Sequence, residues 1–268
     1  MVLESMLNPK NAEDKPWQVF IISIIYTFIA VFFASLLFPS QASILSVALI
    51  TIILVPFFQR MFILEEKKED LAARKLSRSN LFVRHAKTIY VFSAFFLGVI
   101  VAMSFIFIFF PDTNLFSLQT ETIRGFSTAS AAQPGDFWRY FQNNTQVMVL
   151  VYVLSILFGA GSVFVLGWNA SVIAVYVGSV SRSFVAQGFA PGAAYLFGVP
   201  LGLGSILLHG IPEIVAYFIA GLGGGILSVG ILREKWGGKN FHLILKDSLI
   251  LLLVAECLIF VAAFIEAV

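Results

Sequence analysis

The stretch Trp17–Phe38, WQVFIISIIYTFIAVFFASLLF, decides the fold class. It carries no charged side chain and is longer than the roughly 18 apolar residues that mark a membrane-spanning helix. Further apolar runs begin near Ala42, Ile89, Val147 and Ser248. In a bilayer core, helices satisfy their backbone polar groups within one segment, and these runs lack the period-two alternation of a barrel strand. The sequence therefore predicts an all-α, polytopic transmembrane helical bundle.

The composition supports a membrane protein and excludes other classes. Hydrophobic residues make up 59% of the chain and charged residues 12%, whereas charged residues are roughly a quarter of a soluble domain. A net charge of +2 is too small to indicate nucleic-acid binding. The single cysteine, Cys257, cannot form an internal disulfide and is interpreted as a small core residue. Membrane lipids are thus the first expected partners.

Charge divides the chain into three regions: an N-terminal tail and transmembrane hairpin (1–59), a basic linker (60–87) and a membrane domain (88–268). The linker holds eight Lys or Arg residues and four Asp or Glu residues. Basic loops of this length stay in the cytoplasm, which predicts a cytoplasmic linker and N-terminus in a multi-pass protein of the cell membrane. The part from Leu64 to Leu76 is predicted to be a solvated surface helix.

Beyond the linker, the number of spans depends on short apolar runs. A surface helix over Asp136–Gln146 is expected to lead into a span over Val147–Leu166. The run Val172–Val180 is too short to cross the core unless the span starts near Trp168; otherwise it is a re-entrant half-helix. The region Gly192–Leu232 is expected to form two helices broken at His209-Gly210. We predict about seven spans plus one re-entrant half-helix, which places the basic loop REKWGGKN in the cytoplasm.

Two small-residue segments indicate close helix packing. These are GAGS at Gly159–Ser162 and GLGGG at Gly221–Gly225. Small side chains let transmembrane helices approach each other closely. The segments serve either an internal seam or an interface between copies in a homo-oligomer.

Polar residues within or beside the apolar runs are the candidate site, because an ionisable group inside a membrane is costly. They are Asn144, Asn169, His209, Glu213 and Glu256. If the chain is helical through His209 and Glu213, the two share one face. If a helix instead starts near Ile211, Pro212 and Glu213 lie in its first turn and Glu213 has only a structural role.

The same residues also allow a metal hypothesis. Histidine and carboxylate are ordinary zinc ligands. Glu256 lies within the last apolar run and needs either a proton or a partner. If the last helix packs on the His209 region, His209 and Glu213 are the natural partners of Glu256. The three residues then form either a zinc site or a buried, proton-coupled polar cluster without metal. Glu266, near the end of the chain, is interpreted as a solvated terminal residue.

From about Thr88 onward the chain resembles the stage II sporulation protein M family of membrane proteins. The resemblance rests on FQNNTQVMVLVYVLSILFGAGSVFVLGWNA, LLHGIPEIVAYFIAGLGGGIL and AECLIFVAAFIEA, in that order. Asn144, His209 and Glu213 match motif positions of the family, whereas Asn169 is followed by Ala170 where the family more often shows glycine. The first hairpin and the basic linker look like an addition.

The resemblance implies a non-enzymatic membrane scaffold that recruits membrane or extracytoplasmic proteins. The family's namesake helps to localise cell-wall hydrolases during spore engulfment. Family members also occur in archaea, which form no such spores, so the sporulation role is not carried over to this chain. Two alternatives stay open: a transporter of a small solute, ion or lipid, and a metal-dependent intramembrane hydrolase with bound water as its nucleophile.

Overall fold

The computed structural model describes residues 8–73, 80–110, 114–132 and 135–268. Short 3₁₀ turns, Pro39–Gln41 and Asn114–Phe116, precede the third and fifth helices. In chain order the helices are α1 (Pro9–Asp14), α2 (Pro16–Leu37), α3 (Ala42–Ala73), α4 (Leu81–Phe109), α5 (Ser117–Ala132), α6 (Phe137–Phe158), α7 (Ser162–Ala186), α8 (Pro191–Arg233) and α9 (Lys239–Ala267). Within these ranges seven helices are long and apolar enough to cross a membrane, namely α2, α3, α4, α6, α7, α8 and α9. The predicted all-α polytopic membrane bundle is confirmed.

Helix α8 is the centre of the bundle. Its most apolar window is 83% buried, whereas those of α6 and α9 are 28% and 33% buried. The GLGGG segment explains how several helices pack on one. A Cβ on Gly224 would lie 2.5 Å from the Tyr152 backbone oxygen of α6, and a Cβ on Gly225 would lie 2.5 Å from the Phe62 ring of α3. The predicted role of these glycines in close helix packing is confirmed.

The predicted break at His209-Gly210 is wrong. Helix α8 runs through 43 residues with Pro200 and Pro212 in its interior. A proline inside a helix removes one backbone hydrogen bond, but neighbouring helices hold α8 in place on several sides. At 1.5 Å per residue, α8 is about 64 Å long and extends well beyond a single bilayer core.

The break in the chain lies instead at Gly159–Gly161, between α6 and α7. Gly159 has a φ of +64°, and a Cβ on Gly161 would lie 2.3 Å from the Leu154 backbone oxygen. The segment GAGS is therefore a tight turn that favours glycine. Its Ser162 also packs closely on α8, as predicted, because a Cβ on Gly221 would lie 3.0 Å from the Ser162 Cβ. The predicted surface helix before Val147 is simply the first part of α6, capped by the side chain of Asp136.

The run Val172–Val180 lies in the middle of α7, a helix of 25 residues. The half-helix alternative is wrong for this run, because apolar and small residues on both sides extend it to full spanning length. Arg182 lies near the end of α7, where its guanidinium stacks 3.8 Å over the Phe107 ring and donates to the Phe107 carbonyl. Cys257, predicted as a core residue, is exposed on α9.

The basic linker and the REKWGGKN loop lie at the same end of the bundle. Arg233 pairs with Glu66 at 3.3 Å, and the Asn240 amide donates to Asp70 at 2.9 Å. The linker follows two spanning helices and the REKWGGKN loop follows six, so both segments lie on the same side of the membrane. The predicted re-entrant half-helix is not needed to explain this. The segment predicted as a solvated surface helix is helical up to Ala73, where it continues α3, but it is not solvated, because its carboxylates at 65, 66 and 69 are buried. Residues 74–76 of that prediction lie outside the described residues.

Candidate functional site: a polar cavity between five helices

A cavity of about 540 Å³ lies between α5, α6, α7, α8 and the C-terminal end of α9. Its size falls within the range of small-molecule sites, roughly 300–1,000 Å³. We call it the polar cavity. Its polar lining consists of Ser127, Arg139, Tyr140, Asn143, Asn144, Asn169, Tyr176, His209, Glu213, Tyr217 and Glu266. It therefore includes four of the five residues that the sequence singled out, and Glu256 is not one of them.

Helix α5 closes one side of the polar cavity and is anchored by a buried glutamine. The Gln119 amide donates to Ser171 Oγ of α7 at 3.1 Å, and Gln119 Oε1 accepts from Ser43 Oγ of α3 at 2.5 Å. Gln119 is fully buried. From this anchor, Ile123 and Phe126 reach the cavity wall about one and two turns further along α5.

His209, Glu213 and Tyr217 form a polar stripe on α8. Residues four apart lie on the same helix face, and α8 is continuous through all three. The Tyr217 hydroxyl donates to Glu213 Oε1 at 2.7 Å, and Tyr217 is 1% exposed. The shared-face alternative of the sequence is thus confirmed, and the interpretation of Glu213 as a first-turn residue is wrong.

Asn144 contributes a buried donor whose hydrogen-bonding capacity is unused. Asn144 is 5% exposed, and within the described residues its Nδ2 has no hydrogen-bond partner. Its other amide atom, Oδ1, accepts from Asn143 Nδ2 at 3.0 Å. Leaving a buried donor unpaired costs about 1–3 kcal/mol. A bound hydrogen-bond acceptor at Asn144 would recover that free energy. Asn169, on α7, donates to the Val165 carbonyl of its own helix at 2.8 Å.

Glu266 occupies the place that the sequence gave to Glu256. Helices α8 and α9 pack with Ile244 against Gly230 and with Leu251 against Gly223, so they are antiparallel. Because the two helices are antiparallel, the part of α9 that lies beside His209 is near the C-terminal end of α9. Glu266 therefore lines the polar cavity, within electrostatic range of His209 and Arg139. Its interpretation as a solvated terminal residue is wrong.

Glu256 pairs with helix α6 instead. The Thr145 hydroxyl donates to Glu256 Oε1 at 3.0 Å, while its Oε2 is buried. His209, Glu213 and Glu256 do not come together as the zinc hypothesis requires, because the level of Glu256 on α9 is far from that of His209. Across residues 8–73, 80–110, 114–132 and 135–268, no group of three His, Cys, Asp or Glu side chains is arranged to hold a metal ion.

A second polar group, missed by the sequence analysis, lies at the opposite end of the bundle. We call Glu65, Lys68, Glu69, Arg84 and His85 the charged cluster. The two ring nitrogens of His85 contact Glu65 and Glu69, and all three side chains are at most 2% exposed. Arg84 lies 3.2 Å from Glu69, and Lys68 lies 2.7 Å from Glu65.

The charged cluster joins four helices. Lys68 also binds Glu13 of α1 at 2.6 Å, and Arg84 approaches Asp247 of α9 at 3.5 Å. Burial and the neighbouring Glu65 raise the pKa of Glu13, and Lys68 offsets part of this rise. The sequence carried a signal for the cluster: Glu65 and Glu69 are four apart, so they share one helix face. Nothing in the sequence indicated that His85 would meet that face.

Comparison with known proteins identifies one family. The family model described as stage II sporulation protein M matches residues 19–268 of the chain. The match therefore begins within α2 and includes the first hairpin and the basic linker, a wider range than the resemblance that begins near Thr88. No curated protein and no solved structure matches the chain.

Proposed function

This chain belongs to the stage II sporulation protein M family of membrane proteins, and from that premise we propose that it binds a small polar ligand in the polar cavity. The observation that carries the proposal is the buried Nδ2 of Asn144, which has no hydrogen-bond partner among the described residues and lies on the wall of a 540 Å³ cavity. Sites for small ligands combine a concave shape with a few convergent polar groups. The polar cavity has both features.

The charges of the polar cavity favour a ligand with a cationic group. Two carboxylates, Glu213 and Glu266, and one guanidinium, that of Arg139, line it. The hydrogen-bond donor to Glu213 is the neutral hydroxyl of Tyr217. An ionised carboxylate at membrane depth is stabilised by a cation. A ligand that presents an ammonium group to Glu213 and an acceptor oxygen to Asn144 would pair with the carboxylate and with the amide donor at once.

The GLGGG seam favours binding at one side of the membrane over an open pore. Beyond Tyr217, α8 is packed closely by α3, α6 and α9 at Gly223–Gly225. We place the charged cluster on the cytoplasmic side, because it adjoins the basic linker. The polar cavity, near the opposite ends of α6 and α9, then faces the outer half of the membrane.

Binding is tested by thermal unfolding of the detergent-purified protein with ethanolamine, phosphoethanolamine or glycerophosphoethanolamine as probes. We expect at least one probe to raise the unfolding temperature of the wild-type protein and to leave the Asn144→Leu variant unchanged. Asn240→Leu, at the other end of the bundle, is the matched control and keeps the response. If no probe stabilises the wild type, or if Asn144→Leu responds like the wild type, the proposal fails.

A second candidate function is recruitment of membrane or extracytoplasmic proteins. It is favoured by exposed aromatic side chains beside the cavity: Trp138 of α6 is 70% exposed and Phe126 of α5 is 51% exposed. Exposed aromatics are enriched at protein interfaces and also at membrane interfaces. A pulldown from native membranes with the wild type and with a Phe126→Ser/Trp138→Ser variant distinguishes a protein interface from a membrane interface. Recruitment requires a stable partner that the variant loses.

A further inference from the structure

An apolar groove adjoins the polar cavity across the contact between α7 and α8. The groove has a volume of about 350 Å³ and lies between α4, α7 and α8. We call it the apolar groove. Its side chains are apolar except for one serine: Ser93, Phe96, Leu97, Ile100, Ile173, Leu203, Ile206, Leu207, Ile211, Ile214, Val215 and Phe218, together with Gly210. Leu97, Leu207 and Ile211 are about half exposed, at 45%, 48% and 52%, so the groove opens on the lipid-facing surface.

The polar cavity and the apolar groove meet along one shared wall. Four residues line both, namely Ile173, Ile206, Gly210 and Ile214. Gly210 is the one of these four residues that has no side chain. A Cβ built on Gly210 would meet only the Ile206 side chain, at 3.9 Å. A larger side chain at position 210 would therefore fit without a clash and would occupy the junction between the polar cavity and the apolar groove.

We propose that the ligand is a membrane lipid with a zwitterionic amine-phosphate headgroup, held with its headgroup in the polar cavity and one acyl chain in the apolar groove. This inference rests on the proposed function and names its ligand class. A soluble solute would need the polar cavity alone, whereas an amphiphile uses a polar site and a continuous apolar one. The headgroup's ammonium faces Glu213 and Glu266, and its phosphate oxygens accept from Asn144 and lie near Arg139.

The dimensions of the apolar groove fit an acyl chain. The groove follows α8 from Leu203 to Phe218, about 22 Å at 1.5 Å per residue. One leaflet of the hydrocarbon core is about 15 Å thick, half of the roughly 30 Å core. The groove is therefore long enough for a single acyl chain to lie along it across one leaflet. Burial of that chain would supply affinity that a free headgroup lacks, because each buried methylene adds to binding.

The test is native mass spectrometry of the detergent-purified full chain titrated with four probes. They are dioleoyl phosphatidylethanolamine, phosphatidylglycerol with the same chains, dioleoylglycerol and water-soluble glycerophosphoethanolamine. We expect the first to bind most tightly, and we expect Asn144→Leu to weaken it. Gly210→Leu, which fills the junction, should weaken the lipid by roughly tenfold or more, because losing even two buried methylenes has that effect. Gly204→Leu, the same substitution on α8 at a position that lines neither space and whose Cβ would meet nothing within 4 Å, is the matched control and should bind as the wild type does.

The outcomes separate the inference from the proposed function. If glycerophosphoethanolamine binds as tightly as the full lipid and Gly210→Leu has no effect on affinity, the acyl chain does not bind in the apolar groove. That result overturns the inference and leaves headgroup binding in the polar cavity intact. Equal affinity for phosphatidylglycerol overturns the amine contact, and equal affinity for dioleoylglycerol overturns headgroup recognition. Absence of binding by every probe overturns the proposed function itself. Unfolding temperatures of Gly210→Leu and Gly204→Leu show whether each variant is folded, and a folded Gly210→Leu that keeps full lipid affinity refutes the inference.

Discussion

Replacing His85 by alanine tests whether the charged cluster holds the bundle together. In the cluster both ring nitrogens of His85 contact carboxylates, those of Glu65 and Glu69. An ionised carboxylate accepts hydrogen bonds and does not donate them. The ring must therefore donate from both nitrogens, as an imidazolium. His85→Ala removes a cation and two donors at once from a site that is almost fully buried.

The size of the destabilisation expected for His85→Ala depends on which partners the carboxylates of Glu65 and Glu69 keep. Breaking a buried ion pair by removing one partner costs about 3–5 kcal/mol. Glu65 keeps Lys68 at 2.7 Å and the Thr88 hydroxyl at 2.6 Å, and Glu69 keeps Arg84 at 3.2 Å. We therefore expect the lower end of that range, about 3 kcal/mol. With roughly 2–4 °C per kcal/mol for a chain of this size, the unfolding temperature should fall by roughly 6–12 °C.

Thermal unfolding in detergent, followed by tryptophan fluorescence, measures this change. Lys87→Ala is the matched control, because Lys87 pairs with Asp14 at 2.5 Å but both side chains are more than half exposed. Exposed ion pairs contribute little, so Lys87→Ala should leave the unfolding temperature unchanged. Adding Glu69→Gln to His85→Ala should recover part of the loss. Without His85 the four carboxylates, those of Glu13, Glu65, Glu69 and Asp247, outnumber their two cations, and Glu69→Gln removes one of these negative charges. The reasoning is refuted if His85→Ala matches the Lys87 control, or if Glu69→Gln deepens the loss.

Two further predictions concern packing and topology. Gly224→Val should destabilise the protein by at least about 1–3 kcal/mol, because a Cβ there would lie 2.5 Å from a backbone oxygen of α6. Gly204→Ala, whose Cβ meets nothing within 4 Å, should be neutral in the same melting assay, and equal effects would contradict the packing argument. In a Cys257→Ser background, single cysteines at Ser40 and Trp236 should react with a membrane-impermeant maleimide from opposite sides, with Trp236 on the cytoplasmic side. Labelling of both from one side would contradict seven crossings.

The sequence anticipated most of the candidate site and misplaced one member of it. Asn144, His209 and Glu213 could be found because polar groups in apolar runs are costly and conspicuous. Glu256 and Glu266 could not be told apart, since the choice depends on where α9 packs against α8. That offset is fixed by contacts such as Ile244 on Gly230, and no residue near either glutamate encodes it.

The sequence by itself determined that the chain is a helical membrane protein, because long apolar runs leave the backbone no other way to satisfy its hydrogen bonds in a bilayer. It also indicated close helix packing at GLGGG, because small side chains let helix backbones approach closely, but it left open whether that packing is internal or between copies. The tertiary structure alone decided that α8 continues through Pro212, since neighbouring helices override the local preference to break. It alone decided that His85 lies between Glu65 and Glu69, because burial of those charges depends on how α3 and α4 pack and not on either segment's own pattern.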